Sequence, residues 1–263
     1  MRRARMIVAA AVVAGFAFLG CGESTGPIVI DFDWTGVVDP GDLIEIKGTN
    51  GSINASLATG NEVVVTAQKE GDQSDPATVD IVVVPHAGGV TICAVYPDVP
   101  GQPANVCAPG DQARLNNQNN DVEVTFTVAV PADVNFDGLT VNGSVTGTNL
   151  ESDASALVVN GGVTITTTEL AEAIVVNGNI VVTMGEGNLD RNLEFVTVNG
   201  NVSVEVPANT NAVVELTATN GNASSDFSLT RINAGSMQGT LGSGGFDLTL
   251  VTVNGNVMLL RGT

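Results

Sequence analysis

The chain has 263 residues, of which 28 are acidic and 9 are basic, so its formal net charge at neutral pH is −19. A surface this acidic repels the phosphates of nucleic acids and of anionic lipids, which excludes a nucleic-acid partner and a polybasic membrane anchor. The single histidine excludes a zinc site made of several histidines.

Residues 1–20 have the organisation of a secretory signal peptide. Three arginines give the segment a basic start, and residues 6–19 are an uninterrupted run of apolar and small side chains. A run of about 14 residues is too short to span a bilayer comfortably as a helix. We therefore expect export and removal of residues 1–20, which takes the three arginines away and shifts the formal charge from −19 to −22.

The end of this segment resembles the lipobox of bacterial lipoproteins. It reads Phe18-Leu19-Gly20-Cys21, with Phe18 where that family usually has Leu. The resemblance implies that Cys21 receives a diacylglycerol group and becomes the N-terminus, whereas ordinary cleavage leaves Cys21 free. Attached acyl chains would anchor the protein in the cell envelope, with residues 21–27 as a short tether. Because Gly22 rather than Asp follows the cysteine, the resemblance implies the outer membrane if the source has two membranes.

Residues 28–135 are predicted to form an N-terminal β region that is continuous with the repeats after it. Runs rich in β-branched residues are separated there by clusters of Asn, Gly, Asp and Pro. The runs lie at 43–46, 63–67, 79–84, 90–92 and 122–130. We expect this region to cover an edge of the repeat stack that would otherwise recruit other strands.

Two further cysteines, Cys93 and Cys107, lie in a segment rich in Pro, Gly, Asn and Asp. An oxidising compartment allows them to pair, and a bridge across a loop of about 15 residues contributes about 3 kcal/mol in the chain-entropy estimate. The alternative is a reactive or metal-binding thiol pair, but no basic side chain lies between the cysteines to lower a thiol pKa. We predict a structural disulfide.

Residues 136–263 repeat a short unit, Val-Asn-Gly, at intervals typical of stacked repeat architectures. We predict that the chain turns a corner at each unit, where glycine supplies unusual backbone angles and stacked asparagines hydrogen-bond between turns. A longer final interval is expected to hold one degenerate copy around Ile232-Asn233-Ala234-Gly235. The predicted corners are Asn142, Gly143, Asn160, Gly161, Asn177, Gly178, Asn199, Gly200, Asn220, Gly221, Asn254 and Gly255.

The apolar residues on both sides of each corner share one parity in the sequence. Val196 and Val198 precede Gly200, and Val202 and Val204 follow it. Asn-Gly is a strong signal for a two-residue hairpin, but such a hairpin would turn the two later valines away from the face of the earlier ones. We therefore predict an all-β, single-stranded β-solenoid with short rungs, in which the valines on both sides of every corner face one interior. The alternative is an antiparallel β-meander or sandwich.

The chain as a whole resembles the bacterial putative-adhesin family, which consists of β-solenoid domains of unknown function. The resemblance is carried by Thr49-Asn50-Gly51-Ser52-Ile53, by Val128-Ala129-Val130-Pro131, by the successive Val-Asn-Gly units, and by Gly242-Ser243-Gly244-Gly245 before the last unit. It extends over about residues 43–260. It implies a continuous β-solenoid with an adhesin-like role and brings no catalytic residues to this chain.

Candidate catalytic groups are few. His86 stands alone in a Pro/Gly turn, and no Gly-x-Ser-x-Gly motif supplies a serine for a triad. Cleavage of a polysaccharide requires converging carboxylates, but the repeats contain no Asp-Asp pair, and Arg191 beside Asp190 and Glu194 indicates a local surface ion pair. We expect no enzymatic activity, no cofactor and no metal.

The leading hypothesis is a lipid-anchored envelope protein whose rigid acidic β-solenoid has a binding or structural, adhesin-like role. Its partners would be the membrane, through the N-terminal lipid, and an envelope protein or glycan. The second hypothesis is an accessory or sensor module of an envelope-stress system. The third is a polysaccharide-cleaving enzyme.

Overall fold

The computed structural model describes residues 28–262. The predicted signal peptide, Cys21 and the tether lie outside this range. The described part consists of 21 strands and two short 3-10 helices at Pro76–Thr78 and Gly110–Gln112, so the all-β prediction is confirmed. Within residues 28–262, no helix has the length and hydropathy needed to cross a membrane.

The strands fall into three groups along the chain. The N-terminal group is β1 (Ile28–Gly36), β2 (Leu43–Lys47), β3 (Ile53–Leu57), β4 (Val63–Gly71), β5 (Asp80–His86), β6 (Gly89–Val95) and β7 (Glu123–Val130). The middle group is β8 (Asn135–Asn142), β9 (Val145–Leu150), β10 (Ala154–Asn160), β11 (Val163–Thr167), β12 (Ala171–Asn177), β13 (Ile180–Met184), β14 (Leu193–Asn199) and β15 (Val202–Val206). The C-terminal group is β16 (Ala212–Asn220), β17 (Ala223–Ser225), β18 (Thr230–Asn233), β19 (Ser236–Leu241), β20 (Asp247–Asn254) and β21 (Val257–Arg261).

The middle strands alternate between two sheets, one of ten strands and one of eleven. Each Asn-Gly corner takes the chain from the eleven-stranded sheet to the ten-stranded sheet. Strand β10 pairs in parallel with β8 and β12, and β11 pairs in parallel with β9 and β13. One passage through both sheets is therefore one turn of a coil, and the turns stack by parallel pairing. The repeats are not an antiparallel meander.

The order of the turns in space differs from their order along the chain at both ends of the coil. The β2–β3 turn lies between the β6–β7 turn and the β8–β9 turn. The C-terminal β20–β21 turn lies between the β14–β15 turn and the β16–β17 turn. At the C-terminal end the chain passes the position next to β14–β15, builds the outer β16–β17 turn, and returns to fill the gap with β20–β21. At the N-terminal end it builds the outer β6–β7 turn after β2–β3 and then continues with β8–β9 on the other side of β2–β3.

Antiparallel strands are found at the two ends of the coil. Strands β1, β4 and β5 pair antiparallel at the N-terminal end, as expected for a region that covers an edge. At the other end, β18 and β19 form an antiparallel hairpin against β16. The prediction of a degenerate repeat around residues 232–235 was wrong, because this segment forms that hairpin instead of a further parallel turn.

Side chains from both sheets fill the interior of the coil, but the inward residues change parity at each corner. Before Gly200 the buried residues are Leu193, Phe195 and Thr197, whereas after it Val202 is buried. Val198, two residues before the glycine, is 38% exposed. The prediction that the valines on both sides of a corner face one interior was wrong, because alternation needs extended β backbone at every residue and the positive φ of the glycine interrupts it. The parallel pairing of successive turns, and not the parity of the apolar residues, therefore shows that the chain forms a coil.

Candidate binding face

The outer face of the eleven-stranded sheet carries two adjacent rows of aliphatic side chains, which we call the apolar strip. Strands β8, β10, β12, β14 and β20 lie side by side in parallel, so equivalent residues stack from turn to turn. The strip consists of Leu139, Leu157, Ile174, Val196 and Val251 in the first row and of Val141, Val159, Val176, Val198 and Val253 in the second.

The apolar strip is accessible to solvent. Ile174 is 44% exposed, Leu157 is 40% exposed and Val176 is 37% exposed. At the usual strand spacing, five strands make the strip about 20 Å long, and two rows with their side chains make it about 10 Å wide. Single exposed aliphatic residues are ordinary, whereas ten aliphatic side chains in two adjacent rows form one continuous surface to which a partner can bind.

An acidic row runs along one side of the strip, two residues before the first strip row on each strand. The strand register aligns these positions across six turns. The aligned residues are Asp137, Ser155, Glu172, Glu194, Thr249 and Glu215. Four of the six are carboxylates, so the strip has one strongly negative border.

The environment of the acidic row opposes ionisation of two of its carboxyl groups. Burial raises the pKa of Asp137, although the Ser155 hydroxyl donates a hydrogen bond to its carboxylate at 2.8 Å. Burial also raises the pKa of Glu172, and the neighbouring charge of Glu194 acts in the same direction while Arg191 opposes it. A cation beside the row would lower both pKa values and would therefore bind favourably.

Arg191 lies beyond the acidic row, and its guanidinium forms ion pairs with two carboxylates. Its Nη1 atom is 2.8 Å from Asp153 Oδ2 and 3.0 Å from Asp190 Oδ1. The ion pair with Asp190 predicted from the sequence is present, and Asp153 on the other side of the guanidinium was not anticipated. The arginine therefore offers little free positive charge to the strip.

A ladder of asparagines borders the opposite side of the strip. In each step, the side-chain amide of one asparagine donates to the side-chain oxygen of the next at 2.8–2.9 Å. The ladder runs in space through Asn50, Asn142, Asn160, Asn177, Asn199, Asn254 and Asn220. Every predicted corner asparagine belongs to it, as does Asn50 of the Thr49-Asn50-Gly51 segment. The ladder holds the second strip row at a fixed spacing.

The predicted corner glycines all lie where the chain passes between the sheets. Gly161, Gly178 and Gly200 have φ of +149°, +157° and +157°. Gly143 and Gly255 are similar, whereas Gly221 is not among the glycines with positive φ. The corners are therefore structural elements that set the position of the strip and do not form a separate site.

A disulfide-closed loop covers the end of the outer face next to the strip. Cys93 and Cys107 are joined, as predicted. Beneath the loop, Lys47 continues the first strip row, and its Nζ atom is 2.9 Å from Glu45 Oε1. Lys47 also donates to the carbonyl of Ala108 at 3.1 Å and to the carbonyl of Gly110. This buried ion pair could not be predicted from the sequence, because nothing near β2 in the chain indicates that a distant loop lies over it.

A small pocket lies where the loop meets the strip. Its volume is about 280 Å³, and its lining includes Lys47, Leu115 and the first strip residue, Leu139. Lys47 forms its ion pair and its two hydrogen bonds with groups of the same chain, namely Glu45, Ala108 and Gly110. The pocket therefore closes one end of the strip and presents no free cation.

His86 contacts only its own neighbourhood. Its Nδ1 atom accepts from Gly88 N at 3.3 Å, and its Nε2 atom is 3.2 Å from Thr91 Oγ1, which donates to Glu45. Thr91 is fully buried, so no substrate reaches this hydroxyl. In the part of the chain that the structure describes, no group of three or more His, Cys, Asp or Glu side chains could hold a metal ion.

The parity of the apolar residues predicts that the side chains of the apolar strip face the interior, whereas in the structure they lie on the outer face. A signal was nevertheless present. Segments such as Leu157-Val158-Val159 and Ile174-Val175-Val176 are apolar at every position, so both faces of the strand are apolar. In a coil whose turns have one interior, one of the two faces must lie outside.

Comparison with known proteins gave matches only among solved structures. No family model matches the chain, and no curated protein matches it. A putative cell adhesion protein from Clostridium sporogenes is 10% identical with a TM-score of 0.43, over 89% of this chain and 100% of that chain. A putative adhesin from Bacteroides fragilis is 12% identical with a TM-score of 0.31, over 89% and 97%. A putative lipid binding protein from Parabacteroides distasonis is 8% identical with a TM-score of 0.28, over 90% and 97%.

The first two names agree with the family that the sequence resembles. At these identities and TM-scores, nothing about the function of this chain follows from the likeness.

Proposed function

We propose that this chain is a lipid-anchored protein of the cell envelope with a binding, adhesin-like role, and that the apolar strip is its contact surface. The signal peptide and the lipobox resemblance support export and anchoring through Cys21. The exposed strip supports binding. The stacked turns and the asparagine ladder make the protein suited to presenting that surface rigidly.

The single observation that carries the binding role is the exposure of Leu157, Ile174, Val176 and Val198 on one face of one sheet. Water-exposed aliphatic side chains lower solubility and favour aggregation. The rest of the chain is strongly acidic, which opposes aggregation. A partner that covers the strip accounts for an apolar surface on a protein otherwise suited to solution.

Binding is tested by a charge placed in the strip and a matched charge placed on the other sheet. Ile174 and Val181 are exposed by 44% and 46% and belong to the same turn. In cells that lack the protein, we expect the wild type and Val181→Lys to restore surface attachment and Ile174→Lys to fail. Equal restoration by both variants would contradict the proposal. Unchanged attachment together with an altered envelope-stress response would favour the sensor hypothesis.

Anchoring is tested separately. Cells grown with radiolabelled palmitate should label the wild-type protein and should not label the Cys21→Ser variant. The variant should also move from the membrane fraction to the soluble fraction. Labelling that persists without Cys21 would contradict the lipid anchor and would leave the binding role of the strip untouched.

A further inference from the structure

We propose that the occupant of the apolar strip is an amphipathic α-helix of a partner protein, with Lys or Arg along the flank that faces the acidic row. This inference rests on the binding role proposed above and names the chemistry of the partner.

The dimensions of the strip fit one helix. A helix with its side chains is about 10–12 Å across and rises about 1.5 Å per residue. A strip about 20 Å long and about 10 Å wide therefore accommodates about 13 residues, or three to four helical turns. Residues at i, i+3, i+4 and i+7 of such a helix would present a stripe of matching width.

The backbone chemistry favours a helix over an extended segment. The strip lies on the face of a sheet whose strands are already paired on both sides, so it offers no free backbone groups to an added strand. An extended segment on the aliphatic side chains would bury its own N–H and C=O groups without partners, which costs free energy. A helix satisfies those groups internally.

The charges determine which flank of the helix is basic. Asp137, Glu172 and Glu194 border one side of the strip, and burial raises the pKa of the first two although Lys47 and Arg191 act in the opposite direction. The opposite border is the uncharged asparagine ladder. A helix with basic residues on one flank and polar, uncharged residues on the other is therefore complementary to the face.

The same charges disfavour a second copy of this chain as the occupant. Each chain has a formal net charge of −19, so two copies repel each other before contact. A dimer through the strip would have to bury a wide polar and acidic margin as well.

The experiment measures the binding of synthetic helical peptides by fluorescence anisotropy. The protein is the mature chain from residue 21 with Cys21→Ser, which has neither the signal peptide nor an acyl group to compete for the strip. Three 18-residue peptides share one Leu/Ile stripe and carry on one flank Lys, Gln or Glu. We expect the Lys peptide to bind at least about tenfold more tightly than the Glu peptide, with the Gln peptide between them.

Protein variants locate the site. Ile174→Lys should weaken binding of the Lys peptide at least about tenfold, whereas Val181→Lys should leave it within about twofold. The double variant Glu172→Gln/Glu194→Gln should weaken binding and reduce its dependence on salt, because fewer charges face the peptide. Thermal unfolding of each variant verifies that it is folded, and both lysine substitutions are at exposed positions.

Each other outcome overturns the inference in a defined way. Equal affinity for the three peptides, or full binding to the folded Ile174→Lys variant, would show that the strip and acidic row do not select a basic helix. Failure of all three peptides to bind would also contradict the inference. A dimer in sedimentation experiments that dissociates with Ile174→Lys would make a second copy the occupant. In all these cases, loss of attachment by Ile174→Lys cells would still support the proposed binding role.

Discussion

At the corners, glycine is required because the neighbouring turn of the coil leaves no space for a side chain. A Cβ atom on Gly178 would lie 1.9 Å from the carbonyl oxygen of Gly161, and a Cβ atom on Gly200 would lie 1.9 Å from that of Gly178. The obstacle is backbone in every case, so it cannot rotate away. The positive φ of these residues adds a second reason, since L-residues rarely adopt it.

Replacement of Gly178 by Ala should therefore destabilise the protein by at least about 2 kcal/mol, because it adds both a clash and backbone strain. Gly60 provides the control, since a Cβ atom there has no neighbour within 4 Å. Gly60→Ala should change the free energy of unfolding by less than about 0.5 kcal/mol. Urea denaturation measures both, and similar midpoints for the two variants would contradict the steric argument.

Asp137 should make the stability of the protein depend on pH. Burial raises its pKa in the folded state, so between the unfolded and folded pKa values the folded state binds more protons, and stability falls as pH rises through that window. The Asp137→Asn variant keeps the acceptor for Ser155. It should have a higher Tm than wild type at pH 7, and the difference should disappear as the pH falls below the unfolded pKa.

Asp121 gives a control of opposite sign. Hydrogen bonds from Ser74 and from the amide of Gln73 lower its pKa in the folded state, so its contribution to stability is present at neutral pH and is lost as pH falls through that lowered value. Asp121→Asn should therefore lower the Tm at pH 7. Thermal melts from pH 3 to pH 8 compare the two variants, and pH dependence of the same sign in both would contradict the assignment.

On the scale of a single strand, the sequence predicts the strand and its corner but not which face is buried. In β12, Ala173 and Val175 face inward, whereas Ile174 and Val176 face outward. Both sets are apolar, so hydrophobicity alone does not separate them. The assumption that alternation continued through Gly178 then selected the wrong set. The candidate binding face therefore became visible only with the structure, although every strand that carries it was predictable.

The strand β2 contains the buried ion pair of Glu45 and Lys47, whose side chains are 4% and 2% exposed. Removal of one partner from a buried pair leaves an uncompensated charge and costs about 3–5 kcal/mol. We expect that loss for Lys47→Met. The double variant Glu45→Gln/Lys47→Met should lose less, because no buried charge then lacks a partner.

Arg191→Met is the matched control for this pair. Its ion pair with Asp153 is partly exposed, with side chains 38% and 34% accessible, and such pairs contribute about 0–1 kcal/mol. Urea unfolding of the wild type, Lys47→Met, Glu45→Gln and the double variant measures the coupling between Glu45 and Lys47, and Arg191→Met is measured beside them. A double variant less stable than Lys47→Met would contradict the argument from the uncompensated charge and would show that Glu45 stabilises the fold through its hydrogen bonds from Thr91 and Gly110.

For the whole molecule, the repeat predicted a stack but not the order of its turns. The last unit, Val253-Asn254-Gly255, is like the unit at Val198-Asn199-Gly200. Because all units have similar corners and parallel pairing, nothing in the unit itself states which neighbours it will have. The order is decided by the hairpin of β18 and β19, which occupies the outer edge beyond β16 and so leaves β20 a place on the other side of β16.

This order makes the C-terminal turn an internal part of the coil. Strand β20 pairs with β14 on one side and with β16 on the other, and β21 likewise pairs with β15 and β17. In a linear repeat protein, removal of the last unit exposes only the unit before it. Here, deletion of residues 247–263 should separate the β16–β17 turn and the terminal hairpin from the rest of the coil.

Hydrogen exchange of backbone amides measures this prediction. After deletion of residues 247–263, amides of β16 and β17 should lose most of their protection, because their parallel neighbours β20 and β21 are gone. Amides of β19 should lose protection with them, since β19 pairs with β16. Deletion of residues 28–36 removes β1, which lies at an edge of its sheet, and should leave those amides protected. If β16 kept its protection in the first variant, its pairing with β19 would be sufficient, and the returning turn would not be what connects the C-terminal end to the coil.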